Sequence, residues 1–150
     1  MQKIRPFLWY DDNAEEAANL YVSIFNNSKI TSVSRKGDKV MSVTLQLEGQ
    51  QLYAFNGGPH FKFTPAISLF VDCETQQEVD ELWEKLSAGG EQSRCGWLKD
   101  RYGLSWQIIP KVLGQMLQDK DPKKAQSVMQ AMLKMTKIDI AGLKQAYDQA

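Results

Sequence analysis

Few side chains in this 150-residue chain have the reach to do chemistry, and they are scattered. The one histidine, His60, sits in the loop Gly57-Gly58-Pro59-His60. A lone imidazole cannot build a His-rich metal site, and in such a loop it reads as an exposed side chain. The two cysteines, Cys73 and Cys95, lack CxxC spacing and read as structural thiols. Asp11 and Asp12 are adjacent carboxylates suited to acid–base work, but they precede a helical pattern, where acidic residues serve as caps. Gly57-Gly58-Pro59 is no G-x-G-x-x-G loop, and it follows strands instead of opening a helix. No nucleophile elbow of the G-x-S-x-G kind and no P-loop occurs. Gln107 is the residue that asks for a reason, being a polar side chain between Trp106 and Ile108 in an otherwise apolar strand.

The elements that position these residues repeat. Residues 4–10 are short, aromatic and flanked by polar residues, which predicts a strand. A helix follows over residues 13–25, with Ala17, Leu20, Tyr21 and Ile24 on one stripe and Asn13 with Glu16 at capping-box spacing. Asp12 with Glu15 offers the same box one residue earlier. Sixty-two residues on, the pattern returns: a strand over 66–71, a capping box at Thr75 and Glu78, and a stripe of Val79, Leu82, Trp83 and Leu86. Strands over 30–35, 40–47 and 51–55 follow the first helix. In the second of these Met41, Val43, Leu45 and Leu47 alternate with Ser42, Thr44 and Gln46, as in a sheet with one apolar face. Gly89-Gly90 ends the second helix, and strands over 92–98 and 104–109 flank a turn at Asp100–Gly103. The order is β-α-β-β-β, twice. The last forty residues are helical: Asp121-Pro122 starts one helix, with Ala125, Val128, Met129, Met132 and Leu133 on one face. Asp139 caps another, with Ile140, Leu143 and Tyr147 inward. The methionine stripe reads as core or subunit packing.

Composition excludes several classes. The chain is 43% hydrophobic and 24% charged, ordinary for a globular domain. Eighteen basic and eighteen acidic residues cancel, so no global charge draws it to nucleic acid or anionic lipid. No apolar run is long enough for a membrane span, and the N-terminal stretch lacks the features of a signal peptide; the expectation is a cytoplasmic protein.

Pro6-Phe-Leu-Trp-Tyr10, Glu15-Glu-Ala17, Phe55-Asn-Gly-Gly-Pro59, Gln77-Glu-Val-Asp80, Cys95-Gly-Trp-Leu-Lys-Asp100 and Gly103-Leu-Ser-Trp-Gln107 together resemble the PhnB-like branch of the vicinal-oxygen-chelate superfamily. That superfamily holds glyoxalase, bleomycin-resistance and extradiol dioxygenase proteins, and the branch often carries the label demethylubiquinone methyltransferase. The resemblance covers residues 1 to about 111 and implies an α+β fold in which each β-α-β-β-β module curls its sheet into a half-open cup. The expected organisation is a single domain over 1–150: module 1 at about 3–58, module 2 at about 65–111, and C-terminal helices at about 112–149. The resemblance also implies a homodimer in which modules of two chains often complete each other.

In chelate enzymes the metal ligands come from the first and last strands of each module. Gln107 falls where such a ligand would lie, and Tyr53 becomes its partner when the turn glycines Gly49 and Gly103 are aligned. Residues 3–10 and 66–71 contain no His, Asp or Glu. An amide oxygen and a phenol do not make the three or four converging donors that a divalent ion wants. The expectation is therefore no metal and no cofactor, with the chelate site lost. Alternation places Tyr53 and Phe55 on the cavity side, with Leu52 and Ala54 toward the helix. It likewise places Gln107 with Ser105 and Ile109 on the cavity side, and Leu104, Trp106 and Ile108 toward the helix. Trp9, Tyr53, Phe55 and Gln107 are thus the expected ligand-binding residues, for a small aromatic or planar molecule. The alternatives are a filled cavity with Gln107 bonded to a neighbouring backbone group, a metal-assisted lyase, isomerase or dioxygenase, or a methyltransferase as the family label suggests. No catalytic residue can be assigned.

Overall fold

Strand alternation and one parallel pairing build the first sheet. In the computed structural model, which describes residues 2–150, β1 (Phe7–Tyr10), β2 (Lys29–Lys36), β3 (Lys39–Leu47) and β4 (Gln50–Asn56) lie in the order β1-β4-β3-β2. The β1 strand runs parallel to β4, with Phe7 opposite Tyr53, Leu8 opposite Ala54 and Trp9 opposite Phe55. The β2 and β3 strands pair antiparallel, as do β3 and β4. Leu8, Tyr10, Val43, Leu45, Leu52 and Ala54 are buried on one face, where helix α1 (Ala14–Ile24) packs.

The contact stripe of α1 differs from the expected one. Ala14, Ala17, Ala18 and Tyr21 are buried, and Leu20 and Ile24 are only half-buried. Small side chains let the helix backbone approach the sheet, so alanines take the contact and the larger aliphatics flank it. The capping box at Asn13 does not form either: Asn13 makes no side-chain cap bond. The N–H of Ala14 donates instead to Asn56 Oδ1 (2.8 Å), whose own Nδ2 donates to the Val40 carbonyl (3.0 Å). A residue 42 positions away caps the helix.

The second sheet repeats the plan, with β5 (Leu69–Cys73), β6 (Glu91–Gln92), β7 (Trp97–Lys99) and β8 (Ser105–Pro110) in the order β5-β8-β7-β6. Here α2 (Gln76–Ser87) buries Val79, Leu82, Trp83 and Leu86, the stripe read from the sequence. Thr75 Oγ1 accepts from the Glu78 N–H (3.1 Å), while Glu78 reaches back to the Glu74 N–H (2.8 Å), one residue before the standard box position. Two strand boundaries move. β5 begins at Leu69 because a turn at Thr64–Ile67 uses the preceding residues, with Thr64 accepting from the Ala66 and Ile67 N–H groups. The expected strand over 92–98 is broken by positive φ at Cys95 (59°) and Gly96 (83°).

After β8 come α3 (Lys111–Leu117), α4 (Pro122–Leu133) and α5 (Ile140–Gln149). They close a core of Ile109, Leu113, Val128, Ile138 and Leu143, with Met116, Met132 and Met135 packed against it. The methionine stripe therefore serves a core in part, although Met129 and Leu133 stay exposed. Asp121 caps α4 through the Lys123 N–H (3.0 Å). Asp139 does not cap α5; Gln76 Oε1 accepts from the Ile140 N–H (2.7 Å) across 64 positions. The extension is also tied by its backbone, since the N–H groups of Cys95 and Gly96 donate to the Met135 and Thr136 carbonyls (2.9 and 2.8 Å).

The chain divides into two compact units, one running to Phe63 and the other Thr64–Ala150. Among the described residues no helix is long and apolar enough to cross a membrane.

Candidate functional site

The face of the first sheet away from α1 carries the aromatic residues. Parallel pairing of β1 with β4 sets Phe7 beside Tyr53 and Trp9 beside Phe55, so four rings come onto one surface. Phe7 and Tyr53 stack at 5.1 Å with planes 12° apart, and Phe7 meets Phe55 at 5.5 Å. Trp9 packs edge-on against Phe55 (5.2 Å) and against Phe61 (4.9 Å). The Arg5 guanidinium lies 5.7 Å from the Tyr53 ring centre. Phe7 and Phe61 keep 55% and 66% of their surface exposed, so the rings form an open floor and not a filled core. Beside them, β3 contributes hydroxyls: Tyr53 Oη donates to Ser42 Oγ (3.3 Å), and Thr44 Oγ1 meets Ser32 Oγ.

The loop Asn56-Gly57-Gly58-Pro59 exists to hold Trp9. The indole Nε1 donates to the Gly58 carbonyl (2.9 Å), and a Cβ built on Gly57 would lie 2.2 Å from ring atoms of Trp9. Only glycine fits against the indole there. The Gly57 and Gly58 N–H groups donate to the Tyr10 and Asp11 carbonyls (2.9 and 3.0 Å), which ties the loop to the end of β1.

The corresponding face of the second sheet has a different character. Gln107 is opposite Phe70 on β5 and Trp97 on β7. Phe70 is thus to Gln107 what Phe7 is to Tyr53, which agrees with the pairing drawn from the turn glycines. Gln107 Nε2 donates to Ser68 Oγ (3.1 Å), a side chain and not a backbone group. Trp106, Leu104 and Ile108 are buried, as alternation requires. Ile109 differs from expectation, being buried beneath the C-terminal helices instead of lining an open face. The turn before β8 is fixed by buried Asp100, whose Oδ1 accepts from the Tyr102 and Leu104 N–H groups (2.9 and 3.0 Å) and whose Oδ2 accepts from Trp106 Nε1 (3.0 Å).

Trp9, Tyr53 and Phe55 are therefore brought together, and Gln107 sits on the face of the other unit. The sequence reading missed Arg5, Phe7 and Phe61. Phe7 was accessible to it, because Phe7 and Trp9 alternate on β1; the loop position of Phe61 has no such signal.

The donor set can be tested against a divalent ion. The open faces of the first and last strands hold Phe7, Trp9, Tyr53 and Phe55 in one sheet. In the other they hold Phe70, Gln107 and Asp72, a carboxylate that the displaced C-terminal end of β5 brings into the strand. Two oxygen donors fall short of the three or four required. Among the described residues no group of three or more His, Cys, Asp or Glu is placed to hold a metal ion. Asp11, Asp12, Glu15 and Glu16 share a cleft with Lys39 and Asn56 at the start of α1, and Glu15 is paired with Arg35 (3.0 Å). Cys73 is buried, and that burial, with Glu78 nearby, pushes its thiol up to about 12, so it stays protonated and unreactive.

Residues 2–109 match the family model described as 3-demethylubiquinone-9 3-methyltransferase. Among solved structures, a PhnB protein of Bacillus cereus, provisionally described as a 3-demethylubiquinone-9 3-methyltransferase, is 38% identical. The match covers 73% of this chain and 99% of that one, with a TM-score of 0.69. In fold alone the chain is similar to protein PA1353 of Pseudomonas aeruginosa (20% identity, 73% and 98% covered, TM-score 0.61). It is likewise similar to the fosfomycin resistance protein FosX of Listeria monocytogenes (17% identity, 77% and 97% covered, TM-score 0.55). No curated protein matches the chain.

Proposed function

This chain belongs to the PhnB-like family of the vicinal-oxygen-chelate superfamily, whose model is described as 3-demethylubiquinone-9 3-methyltransferase, and from that premise we propose that it binds a small planar or aromatic molecule on its first sheet without a metal ion. One observation carries the reading: Phe7, Trp9, Tyr53 and Phe55 form a continuous, partly exposed aromatic floor, with Phe61 standing against Trp9. Rings of this size offer large contact area at low entropic cost, and a planar ligand can stack on them in offset or edge-on geometry. The Gly57 cradle and the Trp9 Nε1 bond to Gly58 fix the indole before any ligand arrives, which lowers the ordering cost of binding. Gln107, beside Trp97 and bonded to Ser68, is a polar handle of the second unit's own face.

A methyltransferase reading has little support in these residues. The glycines that could have approached a nucleoside cofactor are engaged with Trp9 and the end of β1. A metal-assisted reaction rests on Asp72 and Gln107, one donor or more too few. The exposed Met129 and Leu133 on α4 support a homodimer, which light scattering at micromolar concentration tests.

Native mass spectrometry of freshly purified protein tests the ligand reading. An aromatic adduct that is absent from the Tyr53→Ala and Phe55→Ala variants is the expected result. Stoichiometric zinc, manganese, iron or nickel, lost on Gln107→Ala or Asp72→Ala, would overturn it.

A further inference from the structure

We propose that the first sheet selects a planar aromatic anion, with Arg5 holding the carboxylate at the edge of the aromatic floor. This rests on the reading of that floor as a ligand site and adds the charge of what it takes. Arg5 lies over Tyr53, is exposed, and makes no ion pair among the described residues. Three cations elsewhere are committed to carboxylates: Arg35 to Glu15, Lys111 to Glu74 and Lys137 to Asp80. Around Arg5 the open face holds Phe7, Trp9, Tyr53 and Phe55 beside Ser42 and Thr44, while Lys29, which the register also puts on this face opposite Gln46, stands on β2 at the far edge of the sheet. No carboxylate on it competes for the guanidinium.

Ring electrostatics sharpen the inference. The faces of Phe and Tyr rings are negative, so the floor holds a cation such as Arg5 well and a bare anion poorly. An anionic group must therefore extend past the rings to a positive partner, while its own ring stacks in offset geometry on the floor. Arg5 is that partner, since its planar fork of donors matches a carboxylate. The hydroxyls of Ser42 and Thr44 are already engaged with Tyr53 and Ser32, so they do not supply the charge. A lipophilic anion without a ring would lose the stacking, and an aromatic cation would meet Arg5 as a like charge.

Calorimetric titration with 2-naphthoate and its neutral isostere 2-naphthamide tests the proposal. The wild type is expected to bind naphthoate about five- to tenfold more tightly at low salt, the difference between a charged and a neutral hydrogen-bonding partner. The ratio should shrink at high salt, as an exposed charge requires. Arg5→Gln should bring the ratio to about one, Arg5→Lys should keep part of it, and Tyr53→Ala should weaken both probes. Melting curves of each variant check that the fold is intact. Equal binding of the two probes by the wild type would overturn the charge selection and leave the aromatic site standing. A preference that survives Arg5→Gln would overturn the role of Arg5. Failure of both probes to bind would overturn the site itself.

Discussion

Replacing Gly57 by alanine drives a methyl group into the Trp9 indole. The added Cβ would stand 2.2 Å from two ring atoms and 2.7 Å from a third, where ordinary contact begins at 3.4 Å. The ring must move by about 1 Å, and it cannot do so while Nε1 keeps its 2.9 Å bond to Gly58. Overpacking of this kind costs about 1–3 kcal/mol, and the lost bond adds about 0.5–1.5 kcal/mol. A total of about 2–4 kcal/mol lowers the melting temperature of a domain this size by roughly 4–16 °C. Urea denaturation measures the loss, and titration with an aromatic probe should show weaker binding because the displaced indole disturbs Phe55 and Phe61. Gly114→Ala is the control: it lies in α3, a Cβ there meets nothing within 4 Å, and it should stabilise by about 0.5–1 kcal/mol. The decisive comparison is Gly57→Ala in a Trp9→Ala background, where the penalty should vanish. If alanine at 57 costs as much without the indole as with it, the cradle argument is wrong.

Asn56→Ala removes both the cap of α1 and the bond to Val40, and equilibrium unfolding should show a loss of about 1–3 kcal/mol. Asp100→Asn sets an amide donor against Trp106 Nε1 or the turn N–H groups; the expected cost is about 1–3 kcal/mol, smaller in a Trp106→Phe background, measured as a double-mutant cycle. Cys73 gives a pH prediction: its thiol is held near 12 in the fold against 9.0 when unperturbed, so above pH 9 the unfolded chain loses the proton first. Stability present below pH 9 should therefore fall as pH rises toward 12, by at most about 1.4 kcal/mol per pH unit, and Cys73→Ala should flatten that slope.

The sequence spoke most clearly where the forces are local. The α2 stripe was legible because a Thr75 cap and four large residues at helical spacing all lie within one segment. The α1 stripe was legible only at Ala17 and Tyr21, because alanines at 14 and 18 carry little hydrophobic signal, although their small size is what lets the helix sit close to the sheet. The break at Cys95-Gly96 needed the carbonyls of Met135 and Thr136, forty residues downstream, to make sense. At the candidate site, alternation was enough to group Tyr53 with Phe55. The same alternation groups Phe7 with Trp9 on β1, but it takes the parallel register of β1 on β4 to bring that pair to Tyr53 and Phe55, and a loop to add Phe61. Asp72 lay outside the expected strand because that strand ended at residue 71, whereas β5 runs to Cys73.

The two borrowed helix caps bear on how the chain reaches its fold. A helix with a side-chain cap at its own first residue can form as soon as that segment is made, and α2 is such a helix. The first N–H of α1 instead waits for Asn56, and that of α5 for Gln76, across 42 and 64 positions. Each bond forms only after a loop of that length has closed, so it rewards the late, non-local stage of folding. α1 should thus fray until β4 docks beside β1, and α5 until the extension lies against α2. On a ribosome the first helix emerges well before its cap, and for that interval it is held by propensity alone. The amides at 56 and 76 therefore act as checkpoints, making the completion of a helix report that a distant strand or helix has arrived.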